Sequence, residues 1–393
     1  MGTLADRRFE MTLRNRVLFG VGEVARLPEV VAAAGGSRVF VVTDPGVRAA
    51  GIVEPVVEAL GAAGLPTAIF DEIEPNPAAA TVERGATSLR DFGLADAVVV
   101  AIGGGSAMDA AKAIDLRAVN DRPVWELEYD GPDLAPGLPI VAVPTTAGTG
   151  AEAHSFAVIT HEEIGRKDYV GHPSLLPVTT ILDPGLTVGV PPAVTAATGI
   201  DAMTHSLESL LSANPNPFAE AMALGVIRTV GTWLRRAVAD GRDLEARSQM
   251  LVASHLAGVG QASGTGVGLV HALGHSIGTR GKVAHGTALA VVLPEVLRFY
   301  LGTRDDALAL VGIALGVASA AETESTAAGA AIGAIDKLLR DVEQRPTLRD
   351  LGLSGDAAIT QLTSDAIDDA AIRNSPRLPS AQEARSILEA VSG

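Results

Sequence analysis

A strand covered on one face alternates apolar and polar residues, whereas a strand covered on both faces does not. The first part of this chain carries short runs of the second kind: Arg38–Thr43 (RVFVVT), Pro66–Phe70, Ala95–Ile102 (ADAVVVAI) and Pro139–Val143 (PIVAV). The intervening stretches Val47–Ala62, Ala78–Phe92 and Ala107–Asp115 have helical spacing. Strands and helices in alternation, with the strands apolar throughout, specify a parallel sheet flanked by helices on both sides.

From about Pro191 the period changes. Apolar residues recur three, four and seven apart, and strand-like runs disappear. Helices are predicted at Ala193–Ala213, Pro217–Ala239, Leu244–Gly258, Leu269–Gly278, His285–Gly302, Ala307–Leu315, Ala328–Val342 and Ala381–Val391. Pro and Gly cluster at Asp183-Pro184-Gly185 and Pro191-Pro192. The expected architecture is therefore an α/β dinucleotide-type domain over residues 1–184, then an all-helical domain over 185–393. A cleft between two such domains is where a ligand is expected.

Composition closes off several classes of function. With 30 Lys and Arg against 46 Asp and Glu, the net charge is −16, the wrong sign for a protein that grips nucleic acid through its phosphates. Cysteine is absent, which excludes a disulfide framework, thiolate metal sites and a Cys nucleophile, and suits a cytoplasmic setting. The apolar stretch Ala97–Ile114 is broken by Gly103–Gly105, Asp109 and Lys112, so it reads as strand, loop and helix and not as a membrane span. Met1–Arg16 is charged and lacks the apolar core of a signal peptide.

Two loops suit a nucleotide. Gly103-Gly104-Gly105-Ser106 ends an apolar strand and opens a helix. Glycines there admit a pyrophosphate close to the backbone, and the helix start offers N–H groups and a positive dipole end. The G-x-G-x-x-G spacing is absent, and an ordinary strand–helix turn is the alternative. Pro144–Gly150 (PTTAGTG) also follows a strand and offers hydroxyls, though such clusters are common in plain loops. Asp44 ends the first strand, where a carboxylate accepts ribose hydroxyls and repels a 2′-phosphate, or simply caps the next helix. Lys167 follows Gly165-Arg166 in an expected loop, within reach of a cofactor or merely solvated.

The histidines suggest a metal. Asp201 and His205 stand four apart on one predicted helix, His271 and His275 four apart on another, and His285 begins a third after a Gly-rich link, Gly278–Gly281. One carboxylate and three imidazoles suit Fe²⁺ or Zn²⁺. His154, His161, His172 and His255 are read as structural.

Taken in order, GGGSAMDAAKAI (Gly103–Ile114), PTTAGTGAE (Pro144–Glu152), GIDAMTHSLE (Gly199–Glu208) and HALGHSIGTRGKVAHG (His271–Gly286) resemble the iron-containing, or group III, alcohol dehydrogenases. The likeness runs from FGVGEV at Phe19 to Pro346–Gly352 and Asn374/Pro376-Arg377. It implies an NAD-binding α/β domain and a helical metal-binding domain, the plan shared with dehydroquinate synthases. By resemblance the metal ligands are Asp201, His205, His271 and His285, and His275 is the histidine near the nicotinamide. The cofactor positions are Asp44, Asn76, Gly103, Gly104, Gly105, Ser106, Asp109, Thr145, Thr146, Thr149 and Lys167. The implied activity is reversible hydride transfer between an alcohol and NAD⁺, NADP⁺ being the less favoured cofactor, by a homodimer acting on a small alcohol or aldehyde. Gly258–Gly268 (GVGQASGTGVG) lacks the bulky aromatic and Asn-rich pattern of the family, and Ser375 is an extra residue within Asn-Pro-Arg. The rival readings are a maleylacetate-reductase-like enzyme, against which Asp201 counts, a dehydroquinate-synthase-like lyase, and a non-enzymatic nucleotide- or metal-binding module.

Overall fold

The computed structural model describes residues 15–128, 133–161 and 166–393. All but the last two residues of the Met1–Arg16 stretch lie outside these, as does Gly165. The described residues form two compact units, one within 15–191 together with 240–255, the other of 192–239 and 256–393.

The first unit contains β1 (Arg16–Phe19), α1 (Leu27–Ala33), β2 (Arg38–Val42), α2 (Pro45–Ala49), α3 (Val53–Ala62), β3 (Thr67–Phe70), α4 (Ala79–Phe92), β4 (Ala97–Gly103), α5 (Gly105–Val119), β5 (Ile140–Pro144), β6 (Phe156–His161), β7 (Arg166–Gly171) and β8 (Thr179–Leu182). Among the described residues, six strands pair in the order β1-β8-β5-β4-β2-β3, and every pairing is parallel. β6 and β7 form a separate antiparallel ribbon.

The unbroken apolar strands behave as expected. Phe40, Val42, Val99 and Ala101 pack into one core with α4 and α5, while Val39, Val41, Val98 and Val100 pack into a second core with α1 and α3. Strand order reverses between β2 and β4: β2 leads by helices to β3 on one side, β4 through α5 to β5 on the other. The crevice beyond the carboxyl ends of such a pair is where this class of sheet takes its ligand.

The second unit is helical: α6 (Pro192–Leu211), α7 (Pro217–Ala239), α9 (Leu269–Gly281), α10 (His285–Phe299), α11 (Asp305–Ala314), α12 (Glu324–Asp341), α13 (Asp356–Asp368) and α14 (Ala381–Ala390). α8 (Leu244–Gly260) divides at His255/Leu256 between the units and ends in a π-turn, Gln261–Thr265, with Gly264 and Gly266 at φ 88° and 63°. The unusual glycines of Gly258–Gly268 thus serve a tight, irregular turn that a side chain at those two positions would strain.

Several sequence expectations need correction. Val47–Ala62 is not one helix: the chain breaks at Gly51, whose φ of 73° no helix accommodates, leaving α2 and α3. Gly278–Gly281 is not a link but the last turn of α9, and the connection is Lys282–Ala284, with Lys282 left-handed at φ 50°. Lys167 lies in strand β7, not in a loop. Among the described residues no helix is long and apolar enough to cross a membrane.

Candidate metal and nucleotide sites

Two glycines govern the helical site. A Cβ on Gly286, the second residue of α10, would stand 1.9 Å from the Ala197 carbonyl oxygen of α6. One on Gly274 of α9 would stand 2.4 Å from Leu289 of α10. Bare backbone at these points lets the three helices approach closely, and those helices carry Asp201 and His205 (α6), His271 and His275 (α9), and His285 (α10).

The result is a carboxylate ringed by imidazoles. Asp201 Oδ1 lies 3.7 Å from His205 Nδ1, 3.7 Å from His271 Nε2 and 3.7 Å from His285 Nε2. Asp201, His271 and His285 each bring a ligand atom to within 4.8 Å of the others, and the His205 ring stacks on His271 at 4.6 Å. Ligands bonded at about 2.1 Å to one ion sit about 3–4 Å apart, so the spacing suits one divalent metal. Asp201 Oδ1 and His271 Nε2 are buried without a hydrogen-bond partner, an arrangement a protein core tolerates only where something else satisfies them. Burial pushes the Asp201 carboxyl up, but His205, His285 and His271 together pull it well below the usual carboxylate range. Burial lowers His271, yet Glu208 and Asp201 raise it to about 9.

Behind this ring stand carboxylates to which sequence reading assigned no role. Glu208 Oε2 lies 2.5 Å from His271 Nδ1, and its Oε1 accepts the Val270 N–H at 2.7 Å. Asp369 Oδ2 lies 2.8 Å from His275 Nδ1. Burial pushes Asp369 up, but the hydrogen bond and charge of His275 hold it below the usual range. Glu208 left a signal, since Asp201, His205 and Glu208 follow the spacing i, i+4, i+7 on α6. Asp369, 94 residues from its partner, left none.

The nucleotide candidates gather at the reversal point of the sheet. Asp44 caps α2, accepting the Val47 N–H through Oδ1 at 2.9 Å, while its Oδ2 lies 3.2 Å from where a Cβ on Gly103 would be. The cap reading of Asp44 is what the hydrogen bond shows. α5 begins at Gly105 with no side-chain cap, which leaves its first N–H groups for an anion. A Cβ on Gly104 would meet Thr146 Oγ1 at 3.0 Å, and one on Gly105 would meet Thr149 Cγ2 at 2.5 Å. The Thr145 N–H donates to the Gly103 carbonyl at 2.9 Å. The glycine loop and the threonine loop therefore interlock.

Asn76, left-handed at φ 56°, receives Lys167 Nζ on Oδ1 at 2.9 Å, and Ser106 Oγ accepts its N–H at 3.3 Å. Asp109 accepts the Val158 N–H at 3.2 Å and keeps a buried Oδ1 without a partner, and burial lifts it to about 6 against the pull of Lys112.

Lys112, read from the sequence only as an interruption of an apolar run, is buried and gives all three protons to acceptors: the carbonyls of Ala151 and Phe156 and His154 Nδ1. The histidines read as structural have local partners: His255 with Glu152, His172 with Ser174, His161 stacked on Trp125.

Comparison with known proteins agrees across the chain. The profile "Iron-containing alcohol dehydrogenase" matches residues 14–184, and "Fe-containing alcohol dehydrogenase family, C-terminal" matches 195–392. A choline dehydrogenase of Bacillus subtilis is 37% identical over 91% of this chain and 89% of its own. A crystallised 1,3-propanediol oxidoreductase superposes with a TM-score of 0.93 at 34% identity, over 98% of this chain and 100% of that one. The sulfoacetaldehyde reductase of Bifidobacterium kashiwanohense, solved with NAD⁺, superposes at 0.87 with 25% identity, over 98% and 99%.

Proposed function

Because the chain belongs to the iron-containing alcohol dehydrogenase family, we propose that it interconverts a small alcohol and its aldehyde with NAD⁺ and NADH, using one divalent metal, Fe²⁺ or in its place Zn²⁺. The observation that carries the reading is Asp201 Oδ1 at 3.7 Å from three imidazole nitrogens, buried and unpartnered. Asp201, His205, His271 and His285 would hold the metal. When bound there, it supplies a Lewis acid that polarises an alcohol or carbonyl oxygen. Likewise, NAD⁺ supplies the hydride acceptor, and the protein's part is to bind and orient it.

The chain's own residues do the rest. The free N–H groups at the start of α5 and the bare Gly104 and Gly105 bind a pyrophosphate. The Asp44 carboxylate receives ribose hydroxyls and repels a 2′-phosphate. His275, whose Nδ1 lies 2.8 Å from Asp369 Oδ2, takes up the hydroxyl proton of the alcohol on its ring, and Asp369 steadies the charge that the ring then gains. A lyase of the dehydroquinate-synthase kind needs many basic groups for a phosphorylated substrate, and near the histidines the helical half offers few apart from Arg280, which is paired with Asp365, and Lys282. The cytoplasmic location and the homodimer belong to this same reading, the first consistent with the lack of cysteine.

The test is NADH oxidation by chelator-stripped protein with Fe²⁺ or Zn²⁺ restored under anaerobic conditions, over a panel of small aldehydes. Turnover should return with one of these metals and not without. Tight NADH binding with no turnover in any combination would reject the reading.

Cofactor choice makes a second prediction. Asp44→Gly removes the charge that repels a 2′-phosphate and should raise the NADP⁺/NAD⁺ ratio of kcat/KM at least about tenfold, or ~1.4 kcal/mol. The lost cap costs only about 0.3 kcal/mol of local stability, because Gly is itself tolerated at an N-cap. An unchanged ratio would remove Asp44 from the ribose site.

A further inference from the structure

We propose that Glu208 is a positioning residue which fixes the proton of His271 on Nδ1 and so keeps Nε2 open for the metal; the inference rests on the ligand assignment above. Two oxygens of one buried carboxylate are used differently. Oε1 accepts the backbone N–H of Val270 at 2.7 Å, and the Gly268 backbone also hydrogen-bonds this carboxylate. Oε2 is left to His271 Nδ1, at 2.5 Å. A carboxylate oxygen can only accept, so the imidazole proton is held on Nδ1. In the neutral ring that would bind a metal, Nε2 is then the nitrogen without a proton; it lies 3.7 Å from Asp201 Oδ1, buried without a hydrogen-bond partner. Both side chains are buried, which shuts out the water that would otherwise let the ring exchange tautomers.

The backbone donors make the arrangement directional. In Glu208→Gln the amide oxygen must face the two backbone N–H groups, because the amide nitrogen there would set donor against donor. The amide N–H₂ then points at His271 Nδ1, which can meet it only as an acceptor. The ring proton moves to Nε2, and the nitrogen aimed at the metal loses its lone pair. Glu208→Ala leaves Nδ1 with no dictated partner, and the ring remains able to adopt the binding tautomer. An isosteric replacement is therefore expected to be at least as damaging as a truncation, which is the reverse of what packing alone demands.

The experiment is titration of metal-free protein with Zn²⁺ in competition with a chromophoric chelator, for wild type, Glu208→Gln, Glu208→Ala and His285→Ala. A thermal melt of each metal-free variant verifies folding. Zn²⁺ is redox-inert, so no catalytic readout is needed. Outer partners of metal-bound histidines are worth about 10–100-fold in affinity. Glu208→Gln should weaken Zn²⁺ binding by this much, and by no less than Glu208→Ala does. Wild-type affinity in Glu208→Gln, with binding lost in His285→Ala, overturns the role of Glu208 and leaves the ligand set intact. A milder effect in Gln than in Ala reduces Glu208 to packing and also overturns it. Wild-type affinity in His285→Ala overturns the ligand assignment, and the role of Glu208 with it. If the Ala variant does not fold, Gln against wild type still decides.

Discussion

Asp201→Ala is expected to fold and bind NADH, to hold its metal weakly and to lose most of its turnover. The expectation follows from the position of one atom: Asp201 Oδ1 is the shared neighbour of His205, His271 and His285, each at 3.7 Å. No other carboxylate among the described residues joins the cluster of ligand atoms. Without it three imidazoles remain, and a site left with neutral ligands alone holds a divalent cation more weakly. A Lewis acid at a reacting oxygen is worth several kcal/mol of transition-state stabilisation, so kcat/KM should fall by roughly 10³-fold or more. Metal content by elemental analysis, NADH affinity by fluorescence and turnover measured on one preparation separate this from simple unfolding. Full metal content in the variant would show that Asp201 is not a ligand.

Gly286→Ala is expected to cost more than any other single methyl group added to the helical unit. The added carbon would lie 1.9 Å from a backbone oxygen, that of Ala197, and backbone cannot step aside as a side chain does. α10 must then withdraw from α6, and it carries His285 one residue before the clash. Overpacking of a tight interior typically costs 1–3 kcal/mol, and an obstacle made of backbone should put this case at roughly 3 kcal/mol. For a unit of this size that is a fall in Tm of roughly 6–12 °C, with weakened metal binding in whatever fraction remains folded. The control is Gly329→Ala on α12, where a Cβ meets nothing within 4 Å and the change should be neutral or slightly stabilising. Equal melting of the two variants would refute the close-approach argument.

What could be read from the sequence depended on how strongly each element's surroundings constrain its residues. β2, β4 and β5 were legible because burial on both faces excludes polar residues from them. β1 and β8 escaped notice: β1 is a largely exposed edge strand, and β8 is only four residues, two of them threonines. The ribbon of β6 and β7 carries polar residues along its length and has no sheet on either side to suppress them. α13 was missed because it buries only Ile359, Leu362, Thr363 and Ala366. The proposed metal set was suggested by the sequence because Asp201 with His205, and His271 with His275, keep helical spacing. Asp369 was not, since nothing local ties a residue after α13 to a histidine on α9.

The interlocking of the glycine loop and the threonine loop, both proposed to hold the nucleotide, limits how this protein can be re-engineered. Because Gly104 and Gly105 make room for Thr146 and Thr149, neither loop is an independent module. Transplanting a glycine loop from a different dehydrogenase, with any larger residue at those positions, would drive its side chains into the threonines. A chimera should therefore succeed only when residues 103–106 and 144–150 are exchanged together from one donor, and libraries that randomise one loop alone will be dominated by steric casualties.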